Sequence, residues 1–200
     1  MSRTESANTH DVSVAGPMQH VVITGSESTG KTTLGRQLAV HYGVSCVPEF
    51  VRTFTQEKGA PPDLSDRALL VAGQLELEQR YLKESLKTGS RLLLHDTDLT
   101  SNAAYSTHYF GDCPSFIEDA VRASQPRQYL LLDLDVPWVA DGVRDRGERR
   151  AEMHMLFVDT LRSLQLPYQL ISGDWKLRFQ SAVQFIDTHL FPGNTGSIQD

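Results

Sequence analysis

Residues 24–33 read TGSESTGKTT and directly follow the apolar run Val21-Val22-Ile23. Within them, Gly25-Ser26-Glu27-Ser28-Thr29-Gly30-Lys31-Thr32 fits the spacing G-x-x-x-x-G-K-[ST]. Glycines at both ends let the backbone curl so that its N–H groups converge on an anion. A helix opening after Gly30 adds the partial positive charge of its N-terminus. Lys31 then reaches the β- and γ-phosphates, and the Thr32 hydroxyl joins the coordination shell of Mg2+. The expected nucleotide-binding set is Gly25, Ser26, Glu27, Ser28, Thr29, Gly30, Lys31, Thr32 and Thr33. Glu27 is an unusual choice in an anion cradle, and its carboxylate is expected to turn away from the phosphates, toward an acceptor or a set of arginines. Such a loop serves ATPases, GTPases, motors and kinases alike, so the reaction must be read elsewhere.

The run Leu92-Leu93-Leu94-His95-Asp96 is a hydrophobic strand ending in an acid, which brings a carboxylate to the metal beside a phosphate loop. Asp98 lies two residues on, and in extended geometry both carboxylates face one side. One acid can organise Mg2+ while the other accepts a proton from an attacking hydroxyl. The alternative for Asp98 is to cap a helix beginning near Leu99. Glu49 and Arg52, in Pro48-Glu49-Phe50-Val51-Arg52, either receive an acceptor's hydroxyls or form a local ion pair. From Asp135 the chain reads DVPWVADGVRDRGERR, which crowds Arg144, Arg146, Arg149 and Arg150 together. Arginines have the wrong sign for a helix N-terminus, so a lid that neutralises a moving phosphoryl group and excludes water is expected. Trp138 offers that lid either a ring to stack on a planar base or an anchor into the core.

These residues need a scaffold. Short apolar runs bounded by turn residues predict buried strands at His20–Thr24, Val44–Val47, Arg91–His95, Gln128–Asp133 and Tyr168–Ile171. Helical spacing follows the first at Leu34–Tyr42 and recurs in Leu64, Ala68, Val71, Leu75, Leu82 and Leu86, with Asp63 as N-cap and Gly89 as stop. Met153, Phe157, Leu161 and Leu164 predict another helix, and Trp175–Leu190 a closing one. Strands alternating with helices imply an α/β fold, a parallel sheet of about five strands flanked by helices on both faces, with ligands at the carboxyl ends of the strands. The expected domain spans 18–191, with polar, turn-rich tails at 1–17 and 192–200.

At 200 residues, with 40% hydrophobic and 22% charged, the chain has the composition of one globular domain. A net charge of -6 argues against a nucleic-acid partner, which requires a basic footprint. Only Cys46 and Cys113 are present, without metal-ligand spacing, and no stretch approaches the ~20 apolar residues that span a bilayer. A cytoplasmic enzyme with a small substrate and no membrane partner is expected. No N-K-x-D stretch that would read guanine is present.

GSESTGKTTL, PEFVR, HDTD followed by Thr100 and Tyr109-Phe110-Gly111, and DVPWVADGVRDRG together resemble the ribosylnicotinamide kinase domain of NadR-type proteins, in the P-loop nucleoside and nucleotide kinase group. The resemblance covers roughly Met18 to Leu190. It implies a P-loop NTPase fold with an arginine-containing lid, and transfer of the ATP γ-phosphate to the 5′-hydroxyl of nicotinamide riboside with Mg2+ as cofactor. Lys31, Asp96, Arg144 and Arg146 would then be catalytic, with Thr32 and Asp96 on the metal. Glu49, Arg52, Asp98, Tyr109, Trp138 and Asp141 would face the riboside. NadR-type proteins commonly carry an adenylyltransferase domain before the kinase, whereas only a short tail precedes the first strand here. The chain is therefore expected to act as a kinase-like domain alone. Two other readings stay open: a kinase for another nucleoside or small alcohol, and a nucleotide-dependent regulatory ATPase that needs no acceptor.

Overall fold

Five runs become strands, and the three central ones are buried on both faces. Val21, Val22 and Ile23 are all fully buried, as are Leu92, Leu93 and Leu94 and the four residues Tyr129, Leu130, Leu131 and Leu132. The computed structural model describes residues 16–136 and 150–192. In chain order they form β1 (Gln19–Thr24), α1 (Lys31–Tyr42), β2 (Cys46–Val47), α2 (Phe50–Lys58), a single 3-10 turn (Leu64–Asp66), α3 (Arg67–Lys87) and β3 (Leu92–Asp96). These are followed by α4 (Leu99–Phe110), α5 (Ser115–Ala123), β4 (Gln128–Leu132), α6 (Arg150–Ser163), β5 (Tyr168–Ile171) and α7 (Trp175–Leu190). The sheet is parallel throughout, ordered β2-β3-β1-β4-β5, with Ile23 opposite both Asp96 and Leu130. This is the P-loop NTPase fold.

Alternation along the strands divides the core in two. Val21, Ile23, Leu92, Leu94 and Leu130 face α1 and α7 through Leu34, Leu38, Ala182 and Ile186. Val22, Tyr129 and Leu131 face the other layer through Val71, Leu99, Ile117, Phe157 and Leu161. All ends of β1, β3 and β4 that carry chemistry emerge on one edge. Among the described residues no helix is long and apolar enough to cross a membrane. Of the expected tails, residues 1–15 and 193–200 lie outside the described residues, as does most of the expected lid.

The predicted apolar face of α3 is corrected by the structure. Leu64 and Leu86 are 56% and 59% exposed, and the stripe turned inward is Val71, Gln74, Glu78 and Ser85. Spacing alone favoured the leucines, but the sheet in front of this helix presents His20, His95 and Arg127, and polar partners win the inward face. Asp63 does cap, in a box with Asp66 that opens the 3-10 turn, so α3 itself starts at Arg67. Helix α1 begins at Lys31 rather than Leu34, and β2 shortens to two residues.

The polar layer has a pH signature. His20 Nδ1 lies 3.0 Å from His95 Nε2, and burial, His95 and Arg127 together lower the His20 pKa to about 4. An unfolded chain therefore binds a proton that the fold refuses between about pH 6.5 and 4, so stability is lost as pH falls through that window. We expect the urea midpoint to drop between pH 7 and pH 5 by the equivalent of about 1–2 kcal/mol, and His20→Asn to flatten that drop. An equal drop in the variant would remove His20 as the cause.

Candidate active site

The phosphate loop leaves β1 at Thr24 and enters α1 at Lys31. Gly30 sits at φ 90 as the residue before the helix, and a Cβ there would come within 2.4 Å of the Trp175 ring. Only glycine meets both conditions. Lys31 is 4% exposed, and its Nζ donates to the carbonyls of Gly25 (2.9 Å) and Ser26 (2.8 Å). Thr29 Oγ1 donates to Ser26 O at 2.9 Å and tightens the same turn. Thr33 lies exposed on the first turn of α1, and Glu27 and Ser28 are half-buried.

Strand β3 delivers Asp96 to this loop. Thr32 Oγ1 donates to Asp96 Oδ2 at 2.6 Å, while Asp96 Oδ1 is buried with no hydrogen-bond partner among the described residues. Ser26 Oγ and Thr24 Oγ1 are buried and unpartnered in the same way. A buried carboxylate oxygen without a donor is costly unless a ligand satisfies it. The hydroxyl and carboxylate are hard oxygen donors and fit Mg2+, which is held by one or two carboxylates together with substrate phosphates. Among the described residues no three His, Cys, Asp or Glu gather into a cage.

The other expected residues are placed as follows. Asp98 takes the capping alternative: its Oδ1 accepts from Thr100 N (2.9 Å) and Thr100 Oγ1 (2.6 Å) at the start of α4. Its Oδ2 accepts from Arg127 Nη1 (3.1 Å) and the Tyr129 hydroxyl (2.9 Å), and the residue is 1% exposed. Glu49 precedes α2 at 5% exposure and pairs with Arg52 Nε at 2.9 Å, while the Arg52 side chain stays 43% exposed. Tyr109 stands on the last turn of α4, stacked on Tyr105 with centroids 6.0 Å apart. Nearly the whole helix, about 15 Å, separates it from Leu99 at the site. Trp138, Asp141, Arg144, Arg146 and Arg149 lie outside the described residues.

Arg150 is described, and it reaches the loop: Nη1 donates to Val136 O at 2.8 Å and Nη2 to Ser28 O at 3.2 Å. Burial and the neighbouring charge of Arg178 push its pKa down, against the opposing pull of Asp135. Sequence reasoning missed Arg178 altogether. It is 1% exposed, donates to Thr29 O at 2.7 Å and to Asp133 O at 2.9 Å, and pairs with Asp135. Its guanidinium lies 5.7 Å from the centroid of the Trp175 ring. The sequence signal was thin: an aromatic and an arginine one turn apart at the start of α7.

The chain is similar to several known proteins. Trifunctional NAD biosynthesis/regulator protein NadR of Escherichia coli (strain K12) is 25% identical over 173 residues, covering 83% of this chain and 41% of the relative. The Salmonella typhimurium counterpart is 25% identical over 174 residues with the same coverage, so the chain spans about two fifths of the length of the curated relatives it matches. A crystal structure of NadR protein in complex with NR matches with TM-score 0.75 at 19% identity, over 92% of this chain and 52% of that one. Thymidylate kinase from Ehrlichia chaffeensis matches with TM-score 0.64 at 16% identity, over 86% and 100%. The AAA domain profile matches residues 20–178, most of the chain. With its phosphate loop, acidic strand end and parallel sheet, the chain belongs to the AAA domain family.

Proposed function

We propose that the protein is an ATP-dependent kinase that phosphorylates the 5′-hydroxyl of nicotinamide riboside to give nicotinamide mononucleotide and ADP. The observation that carries the reading is the Thr32–Asp96 contact at 2.6 Å with Asp96 Oδ1 unpartnered, beside Lys31. A nucleotide switch needs loops that order on binding. A carboxylate beside the phosphate loop serves Mg2+ in switches and kinases alike, so this contact carries the nucleotide-donor half of the reading. The acceptor follows from similarity to NadR of Escherichia coli over 83% of this chain, and from the shared fold of a NadR solved with NR.

The loop N–H groups and Lys31 bind the donor, with Lys31 exchanging the Gly25 and Ser26 carbonyls for β- and γ-phosphate oxygens. Thr32 and Asp96 would hold Mg2+, which supplies charge neutralisation across those oxygens. Glu49 and Arg52 address the riboside hydroxyls, and Trp138 with Asp141 the nicotinamide side. Asp98 is left out of the acceptor set, because its hydrogen bonds to Thr100, Arg127 and Tyr129 occupy the carboxylate. In the transfer, the acceptor oxygen bonds the γ-phosphorus as the bond to the β–γ bridging oxygen breaks. ADP leaves with that electron pair, and the hydroxyl proton passes to the Asp96 carboxylate. Arg144 and Arg146 neutralise the moving group, and Arg150 donates to Ser28 O on the phosphate loop.

The test is an ADP-release assay with Mg-ATP across a panel of ribosides, nucleosides and small alcohols. Nicotinamide riboside is expected to accelerate ADP release well above the acceptor-free rate and to yield its 5′-monophosphate. The same rate with every acceptor would leave only slow hydrolysis and sink the kinase reading.

A further inference from the structure

A chain of buried polar groups runs from the start of α2 to the start of α4. Phe50 N, in the first turn of α2, donates to Gln74 Oε1 at 3.0 Å, and Gln74 Nε2 donates to Glu78 Oε1 at 3.1 Å. Arg127 then grips Glu78 with both terminal nitrogens, Nη2 to Oε2 at 2.6 Å and Nη1 to Oε1 at 3.2 Å. The same Nη1 donates to Asp98 Oδ2 at 3.1 Å. Gln74, Glu78, Arg127 and Asp98 are 3%, 6%, 6% and 1% exposed. Burial opposes the Glu78 charge, but His95 and Arg127 outweigh it and hold its pKa at about 2.

Filling space does not account for this set, since apolar side chains of similar volume are commonly as stable as a buried ion pair. Its ends are informative. One end orients the segment that carries Glu49, and the other reaches the turn that carries Asp96. Thr97 in that turn has φ 67, an uncommon value for a β-branched residue, and its N–H donates to Ile23 O at 3.0 Å. Such a conformation persists only where its surroundings over-determine it. Asp98 supplies that determination on the far side, with both oxygens fixed.

We infer that Arg127 is a positioning residue for phosphoryl transfer: by tying Asp98 to Glu78 it locks the first turns of α2 and α4 together and holds the Asp96 carboxylate on Thr32. The inference rests on the transfer reading above. Its test combines steady-state kinetics with calorimetric ATP binding in the presence and absence of Mg2+, applied to Arg127→Met, Arg127→Lys, Asp96→Asn and the double variant Arg127→Met/Asp96→Asn. Arg127→Met is expected to lower kcat about 30-fold, and Arg127→Lys to recover part of the loss. The gain in ATP affinity on adding Mg2+ falls about tenfold, toward that of Asp96→Asn. In the double variant the loss does not exceed that of Asp96→Asn alone by more than about threefold, the sign of a shared path. A lowered unfolding midpoint with wild-type kcat and wild-type Mg2+ gain overturns the inference, as does full additivity in the double variant. Should Arg127→Met fail to fold, Tyr129→Phe decides on the same terms. It removes one donor to Asp98 Oδ2 and is expected to cost about threefold or more in kcat and in the Mg2+ gain. If the wild type consumes no riboside, the binding measurement still decides the inference, and only the transfer reading falls.

Discussion

Replacing Asp96 with asparagine is expected to lower kcat for riboside phosphorylation by about 10²–10⁴-fold, the range that a positioned general base contributes. The side chain is 5% exposed at the end of β3, one oxygen bonded to Thr32 and the other without a partner. The amide keeps the volume and one acceptor but loses the charge on which both proton acceptance and metal binding depend. Stability should move the other way or not at all, because the substitution relieves a buried, half-satisfied carboxylate. Kinetics and a urea midpoint on the same preparation separate the two effects. A variant within threefold of the wild-type kcat would strip Asp96 of both roles.

Lys31→Met is expected to lower kcat/KM by about 10³-fold or more, about 4 kcal/mol of transition-state binding. The ammonium is buried to 4% exposure and rests on the Gly25 and Ser26 carbonyls, neutral partners that it can leave when phosphate oxygens arrive. Methionine fills the same channel with no donor, so the loop loses its central charge without collapsing. The loss should appear in turnover and in ATP affinity with or without Mg2+, whereas Asp96→Asn spares ATP affinity in the absence of Mg2+. Calorimetry with ATP in the absence of acceptor checks the first half directly. Unchanged ATP affinity would mean that the backbone N–H groups hold the polyphosphate alone.

The strands and the phosphate loop were legible because their signals are local. A strand buried on both faces reads as an unbroken apolar run, and Leu92-Leu93-Leu94 can hardly be anything else. Helix α2 was missed although Phe50, Val51 and Phe54 lie half-buried at helical spacing, because nine residues offer only this one short stripe. Helix α3 misled through its leucines, since which face turns inward depended on His20, His95 and Arg127 from other parts of the chain. The same holds for the buried arginines. Arg127 and Arg178 read as ordinary surface residues until the fold brings Glu78, Asp98 and the Thr29 carbonyl to them. Asp98 was readable as a cap from its position before Leu99, but its second pair of donors was not.

The strand order also has a consequence for synthesis. β1 is translated before both of its neighbours, yet it sits at the centre of the sheet, and Val21 is registered with Leu94 on one side and Gln128 on the other. While β4 is still inside the ribosome, Val21, Val22 and Ile23 lack half of their backbone partners and most of their cover. Pairings of such long sequence separation form slowly. Of the site's segments the loop that follows β1 is therefore made first, while the strand that feeds it still waits for β4, leaving an apolar stretch in need of protection on a nascent chain.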